Sequence, residues 1–241
     1  MLVSPSARIA FAHYPKTAGT SIRQWFVARF PDAAYVEPGN PHVPVRESLQ
    51  AAGLLAAPGR RPKVVRECLR IAGQVAPRSL VRRRPCDLKI IGVVREPFEM
   101  LVSLYEYWRR CEFAAEPSIR LVAAARTGGF REFLQLAVRD RQLPDYRSYF
   151  DVDGPAWPTT RLIEFESLEP GLAAVCREFA IEPPSGLEWC NAAPQQARDM
   201  GPYLAEAGGL LFEVRNHFRW YYDQASRVVV RGTRPELRRA A

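Results

Sequence analysis

Leu88-Lys-Ile-Ile-Gly-Val-Val94 does not alternate between apolar and polar residues. A strand with one wet face would alternate. A β-branched run of this kind is covered on both faces, which predicts a parallel strand with helices above and below it. Residues 8–14, with Ile9, Ala10, Phe11 and Ala12, form a second run of this kind, and Arg161-Leu-Ile-Glu-Phe165 a third. Each is followed by a helical pattern. Thr20 or Ser21 is placed to N-cap a helix reaching about Phe30. Pro97 suits the first turn of a helix through Leu101, Leu104, Tyr105 and Trp108. A third helix is expected over 168–180. Further helices are expected at Val45–Leu55, 118–125, 129–139 and 203–223, with a short edge strand at 228–230. Strands separated by helices predict an α/β fold with a mainly parallel central sheet flanked by helices. Ligands of such sheets bind outside the carboxyl ends of the strands.

The chain has 241 residues and is 47% hydrophobic, enough for one sizeable core, and is read as a single domain, 1–241. Its formal charge of +8 comes from arginine spread along the sequence, which favours an anionic ligand or surface without choosing among them. The densest run, Arg82-Arg83-Arg84, is either a solvated helix end or a functional patch. Cysteines 68, 86, 111, 176 and 190 are odd in number and widely spaced, which argues against a disulfide framework or a zinc site and fits a reducing compartment. With no long apolar segment and no leader pattern, the expectation is a soluble cytoplasmic protein without a membrane span.

Two segments at the carboxyl ends of predicted strands carry chemistry. The first is His13-Tyr-Pro-Lys-Thr-Ala-Gly-Thr-Ser21. Strand, tight turn and helix aim backbone N–H groups at an anion, and the helix N-terminus adds partial positive charge. Lys16 is one of only three lysines, with Lys63 and Lys89, in a chain whose other basic residues are arginine. Its retention in this turn points to a need for a compact ammonium. The order is not a Walker A motif, because the lysine precedes the glycine. The second segment is Val93-Val-Arg-Glu-Pro-Phe-Glu-Met-Leu-Val-Ser103. Arg95 offers a planar fork to phosphate oxygens, and Ser103 lies two turns into the following helix.

The Pro-Lys-Thr-Ala-Gly-Thr-Ser loop resembles the 5′-phosphosulfate loop of sulfotransferases that use 3′-phosphoadenosine 5′-phosphosulfate (PAPS). It is most similar to the branch with HxPKTAGTS loops, which includes uronyl 2-O-sulfotransferases and many bacterial carbohydrate and natural-product relatives. The 93–103 segment is similar to that family's 3′-phosphate segment. The resemblance is sharp over 8–30 and 88–110 and general over 161–180. It implies a P-loop-like three-layer fold and transfer of a sulfuryl group from PAPS to a hydroxyl of a saccharide or small natural product, with no metal required. It implies that Lys16, Thr17, Ala18, Gly19, Thr20 and Ser21 hold the 5′ end, with Lys16 on the bridging oxygen, and that Arg95 and Ser103 hold the 3′-phosphate. Side chains of Thr17, Thr20 and Ser21 are expected as further donors, and Gly19 as the point of close backbone approach.

An acceptor hydroxyl needs a general base. His42 resembles the histidine of a His-x-Pro-x-x-Glu segment in related sequences. A structural loop histidine, or Glu47 or Glu67 as base, are the alternatives. His13 reads as packed rather than basic, and His217 as structural or surface. Asp151-Val-Asp-Gly154 reads as an Asx turn rather than a metal loop. Arg231-Gly-Thr-Arg234 is a 3′-phosphate clamp or a frayed terminus. Phe218-Arg-Trp-Tyr-Tyr222 is a stacking surface or core. Residues 60–86 are a lid or a covering hairpin. Two rival functions remain at this level. A small-molecule kinase with an atypical phosphate loop lacks a Walker B acid. A non-catalytic basic nucleotide- or nucleic-acid-binding protein lacks a recognisable module. The acceptor and the oligomeric state are not readable.

Overall fold

The computed structural model describes residues 1–55, 87–110, 120–188, 199–224 and 229–230. Six strands form one sheet in the order β3-β1-β2-β4-β5-β6. They are β1 (Leu2–Ser4), β2 (Ile9–Ala12), β3 (Ala34–Tyr35), β4 (Lys89–Val94), β5 (Thr160–Glu164) and β6 (Val229–Val230). The helices are α1 (Gly19–Arg29), α2 (Val45–Ala51), α3 (Pro97–Arg110), α4 (Arg120–Thr127), α5 (Phe130–Leu134), α6 (Tyr146–Tyr149), α7 (Leu168–Glu178), α8 (Gly201–Ala207), α9 (Leu210–His217) and α10 (Arg219–Gln224).

The centre of the sheet is parallel. β2 runs beside β4 with Ala12 opposite Gly92, and β4 beside β5 with Val94 opposite Glu164. The unalternating run of β4 is buried on both faces, as its composition requires. Ile90 and Val94 join the larger core cluster, which holds Leu101, Leu104, Phe130 and Phe133. Ile91 and Val93 point the other way, into a smaller cluster with Ile22 and Phe26 of α1 and Leu168, Leu172 and Val175 of α7. β2 divides in the same way, with Ala10 and Ala12 on one face and Ile9 and Phe11 on the other. The architecture is therefore helix layers on both sides of a mixed α/β sheet.

Several boundaries differ from the sequence expectation. β1 was not foreseen, because three residues before Pro5 are too short to show a period. It returns antiparallel onto β2 through a turn in which Arg8 has a φ of 51°. β3 extends that antiparallel edge. α1 is not capped by Thr20 or Ser21. It begins at Gly19, behind Ala18 in a left-handed conformation and without a side-chain cap. α2 stops at Ala51, with Gly53 at φ 71° and the amides of Leu54 and Leu55 returning to the Leu49 carbonyl. This is a left-handed helix stop of the kind glycine permits. The expected helix at 129–139 is α5 followed by a π turn, Gln135–Arg139. The expected helix at 203–223 is three pieces, broken at Gly208 (φ 50°) and at Phe218. The reading of β6 as an edge strand agrees with the sheet order.

Candidate anion-binding site

Because β2 and β4 are parallel neighbours, the segments leaving their carboxyl ends emerge on one edge of the sheet. These are 13–18 and 95–96, so the two segments with chemical signatures meet. β5 ends beside them, and Phe165, just beyond it, lies under the Arg95 guanidinium at 4.5 Å from its ring centre.

The first loop is bent by left-handed backbone at two non-glycine residues, Lys16 (φ 61°) and Ala18 (φ 59°). Each such residue costs on the order of 1–3 kcal/mol, so surrounding contacts must hold it. Tyr14 is fully buried among Tyr146, Tyr149 and Phe150, and its hydroxyl donates to the Pro144 carbonyl at 2.6 Å. Thr17 is also fully buried, and its hydroxyl donates to the Tyr14 carbonyl at 2.9 Å. Where the sequence suggests a donor for a ligand, the Thr17 hydroxyl closes the loop on itself in this structure. A left-handed residue followed by helical ones turns successive amides to one side, an arrangement suited to anions. Ala18 and the start of α1 have this form, with Gly19, Thr20 and Ser21 in the first helical turn. Ser21 is buried and Thr20 half-buried.

Gly19 has an unexpected neighbour. A Cβ at this position would stand 1.5 Å from His13 Nε2. The close approach is to the His13 imidazole, where the sequence reading had assigned it to a ligand. That ring stacks on Phe11 and meets the His42 ring at 4.4 Å between centroids. His13 Nδ1 is buried without a partner among the described residues. Burial, reinforced by His42, Lys16 and Arg23, pushes the His13 pKa down to about 3, so the ring is neutral.

His42 lies in the loop before α2 and comes to the same place. Its Nδ1 is 2.9 Å from the His13 carbonyl oxygen. A carbonyl only accepts, so Nδ1 carries the proton and Nε2 keeps its lone pair. The residue retains a solvent-facing edge, yet crowding of its ring lowers its pKa, with the bond to His13 opposing and Lys16 reinforcing the shift. A neutral imidazole with a lone pair on an accessible nitrogen can take a proton. Tyr149 donates to the same His13 carbonyl at 2.7 Å. Arg46, in the first turn of α2, pairs with Asp151 through Nε at 3.1 Å and Nη2 at 2.6 Å. That ties the His42 segment to the end of α6.

Arg95 is held at both ends. Its backbone carbonyl accepts from the Tyr146 hydroxyl at 2.8 Å, and its Nη2 is 3.3 Å from Glu99 Oε2. Its Nε–H is buried and has no hydrogen-bond partner among the described residues. Glu99 and Ser103 are one turn apart on α3, and Tyr107 is one turn further. The Lys16 ammonium stands 4.1 Å from the Tyr107 ring centre. A single strip of α3 thus runs from the arginine, past half-buried Ser103, to the lysine, about 12 Å along the helix axis from Glu99 to Tyr107.

The other candidates separate. Glu47 lies exposed in the first turn of α2. His217 Nε2–H donates to the Leu143 carbonyl at 2.8 Å, a structural bond. Asp151-Gly154 is closed by a backbone bond from the Gly154 amide to the Asp151 carbonyl, not by an Asx bond, and its carboxylate serves Arg46. No metal-holding group of His, Cys, Asp or Glu occurs among the described residues. Phe218 and Trp220 are core, whereas Tyr222 donates to Glu96 at 2.7 Å. Glu67, Arg82-Arg83-Arg84, the 60–86 segment and Arg231–Arg234 lie outside the described residues. Sequence reasoning missed Tyr107, Tyr149 and the Glu99 pairing. Only the last had a local signal, the i,i+4 spacing from Arg95.

Comparisons with protein-family models, curated proteins and solved structures give no match. No helix among the described residues is long and apolar enough to cross a membrane.

Proposed function

We propose that this chain is a P-loop-like sulfotransferase that moves the sulfuryl group of PAPS to a hydroxyl of a saccharide or small natural product, releasing 3′,5′-ADP. The observation that carries this reading is the meeting of the lysine loop and Arg95 on one sheet edge, joined by the Glu99–Ser103–Tyr107 strip of α3. A ligand with anionic groups at two ends fits two cations spaced along one strip. The buried Nε–H of Arg95, without a partner among the described residues, supplies a donor that a phosphate oxygen would satisfy.

In this reading the acceptor oxygen attacks sulfur in line, and the bond from sulfur to the bridging oxygen breaks. The electron pair goes to the departing phosphate. Lys16 meets that charge, assisted by the first-turn amides of α1, as in phosphoryl transfer. His42 Nε2 takes the hydroxyl proton, its tautomer fixed by the bond from Nδ1 to the His13 carbonyl. Arg95 and Ser103 hold the 3′-phosphate. The transferred sulfuryl group carries less charge than a phosphoryl group, so the reading invokes no metal.

The test is a ³⁵S-labelled donor assay over a broad acceptor panel, with 3′,5′-ADP binding measured in parallel. The expected result is transfer to at least one hydroxyl acceptor, with Lys16→Ala slower by about 10²–10³. Absence of both transfer and 3′,5′-ADP binding in the wild-type protein would refute the proposal. A larger thermal shift with ATP–Mg²⁺ than with 3′,5′-ADP would turn it toward a kinase.

A further inference from the structure

Arg95 is surrounded by acid. Glu96 follows it in sequence, Glu99 is one turn on, and Glu166 comes from the segment after β5. Two of these carboxylates are committed to the scaffold. Glu96 accepts from the Tyr222 hydroxyl through Oε1 at 2.7 Å and from the Glu99 amide through Oε2 at 2.8 Å, closing the first turn of α3. Glu166 accepts from the Glu96 amide at 3.4 Å. Glu99 differs: among the described residues it is the carboxylate that pairs with the guanidinium itself. The contact is incomplete. Glu99 takes one Nη2 hydrogen at 3.3 Å and leaves the adjacent Nε–H, on the same edge of the fork, without a partner. An oxyanion presenting two oxygens to that edge, such as a phosphate, would accept from both nitrogens. The two partners also differ in exposure. The Arg95 side chain is 17% exposed and lies over Phe165, whereas that of Glu99 is 42% exposed on the helix surface.

We infer that Glu99 is an internal stand-in for the second anionic group of the ligand: it holds Arg95 with half a contact and gives way to a phosphate monoester that completes it. Glu99 therefore sets how strongly the protein prefers an adenosine nucleotide with anions at both the 5′ and 3′ positions over one with a 5′ anion alone. This inference rests on the nucleotide reading above for its ligand, and on the Arg95 geometry for its mechanism. Substitution by glutamine keeps the size and removes the charge that competes with the incoming phosphate.

The experiment is calorimetric titration of wild-type protein and Glu99→Gln with 3′,5′-ADP and with 5′-AMP. Alongside it, NMR of the arginine Nε–H groups follows a titration with inorganic phosphate. Glu99→Gln is expected to tighten 3′,5′-ADP by roughly 5- to 20-fold while 5′-AMP changes less than about twofold. Phosphate is expected to perturb the Arg95 Nε–H signal at lower concentration in the variant. Equal shifts for the two nucleotides, or weaker 3′,5′-ADP binding in the variant, would overturn the inference. If the wild-type protein binds neither nucleotide, the sulfotransferase reading fails, and the phosphate titration still decides: tighter phosphate at Arg95 in Glu99→Gln supports the stand-in, and unchanged or weaker phosphate refutes it.

Discussion

Replacing Gly19 by alanine separates two reasons for a glycine in the loop. If the residue is there to admit a ligand, the free protein should tolerate a methyl group and nucleotide binding should fail. The structure gives the other reason. The new Cβ would lie 1.5 Å from His13 Nε2, 1.9 Å from Cδ2 and 2.2 Å from Cε1. Ordinary contact needs about 3.4 Å, so the imidazole must retreat by roughly 2 Å. It has little room, with Phe11 stacked at 5.6 Å and the His42 ring at 4.4 Å. Overpacking at such a site costs about 3 kcal/mol, and alanine in place of glycine in a helix returns at most about 1 kcal/mol. The net loss of about 2 kcal/mol should lower Tm by about 4–8 °C in a chain of this size. Differential scanning calorimetry of Gly19→Ala, His13→Ala and the double variant supplies the cycle. The expectation is that Gly19→Ala costs much less once His13 is already alanine, a coupling of about 1–3 kcal/mol. A Gly19→Ala protein with wild-type Tm, or a cycle without coupling, would show that the clearance for His13 is not what the glycine provides.

Two further outcomes follow from the histidines. His13 is held neutral down to about pH 3, whereas the unfolded chain protonates it near 6.5, so its contribution to stability is present above pH 6.5 and lost as pH falls toward 3. By pH 4.5 the loss is on the order of 3 kcal/mol, and urea unfolding at pH 7 and 4.5 should show a flatter pH dependence in His13→Asn than in the wild-type protein; identical dependence would remove His13 as the cause. His42→Ala should abolish turnover and spare 3′,5′-ADP affinity. Because crowding lowers the His42 pKa, the acid limb of wild-type kcat/KM should lie below pH 6.5, and a limb above that value would contradict this base assignment.

The parts of the fold that were legible are those governed by local pattern. The run at 88–94 has no polar alternation, and it is a strand buried on both faces. Pro97 announces α3 within a residue. What was illegible depends on partners distant in sequence. β1 has too few residues to show a period and exists because β2 offers it an edge. The polar chemistry of Thr20 and Ser21 suggested a cap, but the left-handed turn at Ala18 starts the helix earlier, and that turn is sustained by buried Tyr14 and Thr17. The pattern over 203–223 is continuous in hydrophobicity, and only Gly208-Gly209 hints at the break. In the candidate site, the loop and the arginine were readable as motifs. Their junction along α3 was not, because it depends on Tyr107 meeting a lysine that belongs to another strand–helix unit.

A carbonyl oxygen has two lone pairs, and at His13 both are taken: one by an imidazole 29 residues later, the other by a phenol 136 residues later. The peptide plane at which the chain leaves the sheet is therefore clamped from outside and cannot rotate or hydrate without releasing both. An excised peptide carrying the loop lacks these two donors and has no reason to keep its bend. The shape of the turn is a property of the assembled fold, and any event that displaces the loop must be felt at the imidazole hanging from it.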